Sequence, residues 1–472
     1  MQLKNIPIKL AELKAEVNKY KLSPEVRAII NFLILLVEIL LASKLKNSRN
    51  SSVPPSQDPN RVKEKRKTGK SQGGQLGHAG TTLERVDDPD EIIPIEIDRR
   101  TLPKGQKFEK LEPEKRQVVD FEVNVIIKEY QAEVLQDKNG VRHIAEFPFG
   151  INKAIQFSSA VKANVVYMDN FQFVSLNRIE EQFYDQLNIK ISHGSIVNFS
   201  VELYRLLKDF ELFLKKKLLL EKVLHADETG INVNGDKGWI HTLCSLKYSY
   251  LHADLNRGKE AINEMGILNE YKNKLCHDHW AAYFSYWCIH FLCNAHQVRG
   301  LTYLEEEENQ KWAKKMRILL LNTNEEVKKA GGKLNNKRQK IIIRKYRKIL
   351  QEGESENKLP KKEKGKRGRQ KKTKSRNLLE RLIKFEQETL AFMKSKDIPF
   401  TNNEAERDLR MTKVQQKVAG CFRSIEGAKV FARIRSFINT CKKNQINVSD
   451  AIKSVFEGKL SDVIIKIEKF AD

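Results

Sequence analysis

Apolar residues change their spacing several times along this chain, and each change predicts a different kind of segment. Leu10, Leu13 and Val17 share one helical face. The apolar run 29–42 follows a cap-and-proline start at Ser23-Pro24-Glu25, so residues 1–46 read as a helical, possible oligomerisation segment. That run contains Asn31 and Glu38 and is too short for a bilayer span, so no membrane is expected. Residues 47–90 lose the pattern and become rich in Pro, Gly, Ser and Lys, as in a basic flexible linker. Short alternating runs at 118–123 and 125–127 predict a small β-rich module over residues 91–165. Residues 166–220 turn helical. Segments 176–184 and 192–204 around a polar break could form a helix-turn-helix on DNA, or simply two packed core helices.

The second half begins with strand patterns. Residues 222–226 run into Asp227, and 231–233 and 238–246 flank Asn234-Gly235, a strong hairpin signal. A third strand fits 248–255. Residues 274–276 lead to Asp278, and 289–293 follow a short helix from Ala281. Strand, hairpin, strand, then a buried strand ending in an acid is the order of an RNase H-like mixed sheet. The predicted fold class is therefore an α/β core with its first part at 221–300. Residues 301–397 read as a charged helical insertion with a basic tract. Core residues resume at 398–440, and 441–472 read as C-terminal helices.

Charge adds a partner. Over 472 residues the net charge is +25, which favours a polyanion because a phosphate backbone releases counterions to such a surface. A merely basic, ribosome-like protein fits less well, since the charge is spread over folded-looking sequence. The six cysteines have no disulfide-framework spacing and no leader-like segment opens the chain, so a reducing, cytoplasmic location is expected.

The chemistry concentrates in three acidic motifs, around Asp227, Asp278 and Asn402-Asn403-Glu404-Ala405-Glu406-Arg407. Phosphodiester cutting and joining needs an activated oxygen nucleophile and a stabilised leaving oxygen. Two Mg²⁺ ions held by carboxylates about 3.5–4 Å apart supply both, with Mn²⁺ as a substitute. Asp227 and Asp278 are expected to project from neighbouring strand ends, and Glu406 from a helix packed across the sheet edge. Glu228 and Glu404 are rival ligands. Lys413, two helical turns after Glu406, and Arg407 are expected to orient phosphates. In the basic tract 359–376, Arg367 and Arg369 flank a glycine as in a minor-groove hook, with non-specific phosphate binding the favoured role. His290, Cys293 and His296 recur every third residue but lack an obvious fourth zinc ligand, so packed, hydrogen-bonded side chains are expected instead. His277 and His279 flank Asp278, but on a strand they share one face while Asp278 takes the other. No phosphate-binding glycine loop and no serine or tyrosine nucleophile stands out.

The strings HADETGINVNG, GWIH, LNRGKEAINEMGIL, HDHWAAYF, CNAH, NNEAERDLR and QQKVAGCFRS, with NSRNSSVPPS and TGKSQGGQLGHAGTTL upstream, resemble transposases of the insertion sequence 66 family. The resemblance implies a DDE transposase with an RNase H-like core and a helical insertion before its glutamate. It places the triad on Asp227, Asp278 and Glu406, preferring Glu406 to Glu404. It also implies DNA partners (element ends and target), a homo-oligomer in the synaptic complex, and accessory transposition proteins, and it narrows the cytoplasmic location to the bacterial nucleoid. Two features depart from the family pattern. Residues 99–150 contain no cysteine where relatives carry a zinc-ribbon-like module, so no zinc is expected in that N-terminal module. Arg299 is followed by Gly300 rather than an acid, which could weaken a local salt bridge or the core's activity. The residues leave two other functions open: a DNA-binding relative that has lost catalysis, and a metal-dependent nuclease that cuts without joining.

Overall fold

A computed structural model of the chain describes residues 23–45, 83–359 and 372–471, with isolated positions among 10–20 and at 58. The chain divides into two units, Val62–Glu129 and the remainder. In the first, the described residues carry a single 3-10 turn, Arg99–Thr101, capped by Asp98, and no strand. The β-rich expectation is corrected here. Runs 118–123 and 125–127 have no strand partner, and Val118, Phe121 and Ile127 are exposed. Alternation produces a strand only where a neighbouring strand pairs the backbone and a second layer buries the apolar face.

The larger unit includes helix α1 (Pro24–Leu45), before which Ser23 Oγ accepts from Val26 N at 3.4 Å. No helix of the described residues is long and apolar enough to cross a membrane. Strands β1 (Val134–Gln136) and β2 (Arg142–Ile144) form a short antiparallel hairpin, the only paired strands within 91–165. Helix α2 (Ser159–Val166) continues into a π-helical turn, Tyr167–Phe171. Helices α3 (Leu176–Leu187) and α4 (His193–Leu206) then stand on either side of a turn. Asn188 ends α3 in the left-handed region at φ 51° and Ser192 caps α4 through Ser195 N. Both helices bury apolar faces, Ile179 and Phe183 on one, Ile196, Phe199 and Leu203 on the other. Helix α5 (Lys208–Leu220) leads into the sheet.

The sheet contains β3 (Val223–Val233), β4 (Asp236–Cys244), β5 (Ser249–Asp254), β6 (Lys274–His277) and β7 (Ile289–Leu292), in the order β5-β4-β3-β6-β7. Antiparallel β3, β4 and β5 adjoin β6 and β7, which run parallel to β3. Asn234 and Gly235 sit at φ 51° and 97°, the paired positive values that a tight hairpin with the right twist requires, and Val233 pairs with Asp236. The crossover from β5 to β6 carries helix α6 (Lys259–Glu264). Strand alternation divides the side chains between two layers. Leu224, Ala226, Leu243 and Tyr250 join the core that includes Phe210 and Leu214 of α5. Ile231, Val233, Ile240, Leu251 and Ala253 pack with Leu409, Phe431 and Ala432.

Helices α7 (Asn294–Glu307), α8 (Lys311–Lys329), α9 (Asn336–Glu356), α10 (Lys374–Lys384) and α11 (Glu386–Thr389) follow β7. They have a core of their own, with Leu304, Trp312, Leu320, Tyr346 and Leu379 at its centre. The chain then returns to the sheet through α12 (Asn403–Ala419), α13 (Ile425–Lys443), α14 (Val448–Phe456) and α15 (Leu460–Ala471). Gly300 has a packing reason. A Cβ there would lie 3.2 Å from Leu378 Cδ2, so the missing side chain lets α7 approach α10 closely.

Candidate active site

The parallel pairing of β3 with β6 brings the first two acids together. Val223, Leu224 and His225 register with Lys274, Leu275 and Cys276, so continuing the same step sets Asp227 beside Asp278. Side chains directly opposite on neighbouring strands point to the same face, and here that face lies under α12. Asp278 follows the end of β6, as expected. Asp227 does not end a strand: β3 continues six residues beyond it, because β4 pairs with β3 along its whole outer half. It is β6 that stops, leaving Asp227 at the edge of the parallel ladder.

Glu406 arrives from the first turn of α12. Asn402, buried at the N-cap, ties the start of that helix to the sheet. Its Nδ2 donates to Ala226 O at 2.8 Å, its Oδ1 meets His225 Nδ1 at 2.9 Å, and its backbone N donates to Cys293 Sγ at 3.2 Å. Contacts to β3 and to the residue that follows β7 thus pin the first turn above Asp227. Burial pushes the Asp227 carboxyl well above the ordinary carboxylate range, and the charges of Glu228, Asp278 and Glu406 push it the same way. Glu406 Oε1 is buried and has no hydrogen-bond partner among the described residues. Its nearest cation is Arg299 of α7, Nη2 at 3.6 Å. Asp278 Oδ1 accepts from Trp280 N at 2.8 Å. Three carboxylates on one face, one of them buried with its ionisation disfavoured and another with an oxygen that lacks a hydrogen bond, are a donor set suited to a hard divalent cation.

The rivals are otherwise engaged. Glu228 points to the opposite face, where Oε1 accepts from Arg257 Nη2 at 2.6 Å and Oε2 accepts from Tyr283 OH at 2.7 Å, and its side chain is 2 % exposed. Arg257 is itself sandwiched between Trp239 and Trp280, 4.8 and 4.6 Å from the ring centres. Glu404 pairs with Arg407 at 3.3 Å, so Arg407 is not a free cation on this surface, although its side chain is largely exposed. Lys413 lies on the Glu406 side of α12 and donates its Nζ to Gly230 O, anchoring the helix to β3. Arg367 and Arg369 lie outside the described residues.

The histidines divide between the faces. His277 Nε2 contacts His290 Nδ1 at 2.9 Å, and burial holds His277 down at about 3, hence neutral. His279 stacks edge-on against Phe385 and meets Gln297 Nε2 at 2.9 Å. His296, by contrast, reaches the acids: it lies with Cys293 beside Glu406, the three ligand atoms within 4.8 Å of one another. In the sequence, Asn402 and Arg299 were named without a role beside the acids, and Arg381 was not singled out. Arg381 of α10 lies within electrostatic reach of Asp278, and nothing in the local sequence of a separate helical layer announces that.

The match to known families covers this same stretch. No match is found among curated proteins. The family profile described as Transposase IS66 family matches residues 154–430, more than half of the chain, from the helices before β3 through α12 and into α13. Sheet, acids and insertion all fall within that match, and the chain belongs to the IS66 family of transposases.

Proposed function

We propose that this transposase is of the DDE type, that its five-stranded sheet is an RNase H-like core, and that Asp227, Asp278 and Glu406 are its catalytic, metal-holding acids. The observation that carries the reading is the meeting of carboxylates from β3, the end of β6 and the start of α12 on one face of the sheet. The strand order, with three antiparallel strands continued by two parallel ones, supports the fold assignment.

Asp227, Asp278 and Glu406 would hold Mg²⁺, or Mn²⁺ in its place, which when bound activates water and neutralises charge on the phosphate. The chain's own residues do the rest. Asn402 and Lys413 hold α12 against β3, keeping Glu406 over Asp227. Arg299 and Arg381 line the acids with positive charge suited to a DNA phosphate. In the first step a water oxygen bonds to phosphorus at the element end, the bond to the 3′ oxygen breaks, and that oxygen takes a proton. The freed 3′ hydroxyl then attacks a target phosphodiester in line, displacing the target's own 3′ oxygen. DNA ends and target are the partners, and a homo-oligomer would hold both ends, with accessory proteins assisting. α3 and α4 would bind DNA as a helix-turn-helix.

Strand transfer by the purified protein on DNA carrying the element ends, with Mg²⁺ or Mn²⁺, tests this. Joined product should vanish in Asp227→Asn, Asp278→Asn and Glu406→Gln and persist in Glu404→Gln. Cutting without joining would replace the proposal with a nuclease. Salt-sensitive binding with no cutting, even with accessory proteins added, would replace it with a relative that has lost catalysis.

A further inference from the structure

Cys293 and His296 are separated by one turn across the start of α7, and Glu406 reaches them from α12. One ligand atom from each lies within 4.8 Å of the other two. His296 Nδ1 and Glu406 Oε1 are both buried and both lack a hydrogen-bond partner among the described residues. Arg299 Nη2, 3.6 Å from Glu406 Oε1, is beyond hydrogen-bond reach, so two buried polar atoms without a hydrogen bond converge on one thiol and leave a place for a shared partner. His290, which shares the three-residue spacing, is excluded: its two ring nitrogens contact His277 at 2.9 Å and Tyr286 O at 3.0 Å. Sequence spacing alone therefore suggests the wrong third ligand, and the fold supplies another from more than a hundred residues away.

We infer that Cys293, His296 and Glu406 form a second cation site, built for a thiophilic divalent ion of the Zn²⁺ type and sharing Glu406 with the proposed catalytic centre. A thiolate, an imidazole and a carboxylate are the donors Zn²⁺ prefers, at about 2.0–2.3 Å each, whereas Mg²⁺ has little affinity for sulfur. One ion reaches all three ligands after rotamer-scale adjustments, and solvent completes the tetrahedron. Binding converts the Cys293 thiol to thiolate, with its proton released to solvent. The Asn402 N–H already donates to that sulfur and would stabilise the thiolate. The cluster His252, Asp254 and Glu264 offers no thiol and includes the exposed Glu264, with His252 Nε2 3.6 Å from Glu264, so it is the weaker candidate for a thiophilic ion. The consequence rests on the catalytic reading above: an ion held by Cys293 and His296 withdraws Glu406 from the acids, so Zn²⁺ acts as an inhibitor that excess Mg²⁺ does not relieve.

Co²⁺ titration of the metal-stripped, full-length protein tests the site without DNA. The expected result is a thiolate-to-cobalt charge-transfer band with tetrahedral visible bands, saturating at one equivalent and resisting excess Mg²⁺. Cys293→Ser, which keeps an acceptor for the Asn402 N–H, should lose the charge-transfer band while its circular dichroism is unchanged. His296→Ala and Glu406→Gln should weaken Co²⁺ binding at least about tenfold, and Cys421→Ser should behave as wild type. A folded wild-type protein with no such band, or a band that survives Cys293→Ser, overturns the inference. An inactive protein that shows the band would sink only the catalytic reading, and an active protein without it only this one.

Discussion

Asp408 and Lys443 form an ion pair at 2.9 Å with side chains only 5 % and 12 % exposed, two residues along α12 from Glu406. Ser249 Oγ donates to the same carboxylate at 2.6 Å, so β5, α12 and α13 meet at one oxygen. The pair is an anchor for the helix that carries Glu406. Removing one member of a buried pair leaves an uncompensated charge, which costs about 3–5 kcal/mol. Lys443→Met should lose that much stability in urea unfolding, and Lys443→Met with Asp408→Leu should recover a good part of it. A loss under about 1 kcal/mol for the single variant would mean that the pair is hydrated.

Asp227 yields a prediction with a definite sign. Its folded-state pKa is raised, so the native protein binds more protons than the unfolded chain once pH exceeds the ordinary carboxylate value of about 3.9. Stability is then lost as pH rises toward the folded-state value. Asp227→Asn should therefore raise the Tm of metal-free protein at neutral pH. Mg²⁺ should raise the Tm of wild type and leave the variant unmoved, because a ligand stabilises only the state that binds it. A Mg²⁺ shift of equal size in both proteins would remove Asp227 from the metal site.

A second buried acid tests the same physics away from the site. Burial pushes Asp169 in the π-helical turn up to about 6, opposed by donation from Ser200 Oγ at 3.2 Å and Asn170 Nδ2 at 2.9 Å. Its contribution disappears as pH climbs from about 4 to about 6. Asp169→Asn keeps an acceptor oxygen, so it should match wild type at pH 4 and exceed it by on the order of 1–3 kcal/mol at pH 7. Equal stability of the two proteins at both pH values would show that the carboxyl is solvated.

Gly353 sits inside α9, where alanine would normally gain up to about 1 kcal/mol of helix propensity. A Cβ there would lie 2.8 Å from Leu379 Cδ1 and 2.9 Å from Trp312 Cδ2. Trp312 is fully buried and Leu379 belongs to the same core, so neither yields cheaply. Gly353→Ala should destabilise the protein by about 1–3 kcal/mol through overpacking. A rise in Tm would show that α9, α8 and α10 pack more loosely than these contacts indicate.

Much of the sheet was legible before any coordinates. Asn234-Gly235 marks a hairpin because both residues tolerate positive φ, and the hairpin forms there with strands on either side. The helix expected to carry the acidic motif 402–407 does begin there, with Glu404 and Glu406 in its first turn. The expected strands near 118–127 failed because alternation is a local signal and pairing is not. Asp227 was read as a strand end because the apolar run stops there, but β4 continues to pair with β3 beyond it.

By itself the sequence determined which acids were available, the order of strands, hairpin and insertion, and the family resemblance, since each of these is written in residues close along the chain. Only the tertiary structure decided which acids converge. Parallel pairing of β3 with β6 set Asp227 beside Asp278, and pleating sent Glu228 to Arg257 and Tyr283 on the other face. Asn402 brought Glu406 to Asp227, and with it Cys293 and His296. Gly300 found its reason in Leu378 of a distant helix. Such contacts join residues tens to hundreds of positions apart, and spacing along a chain carries no information about which of its distant parts will pack together.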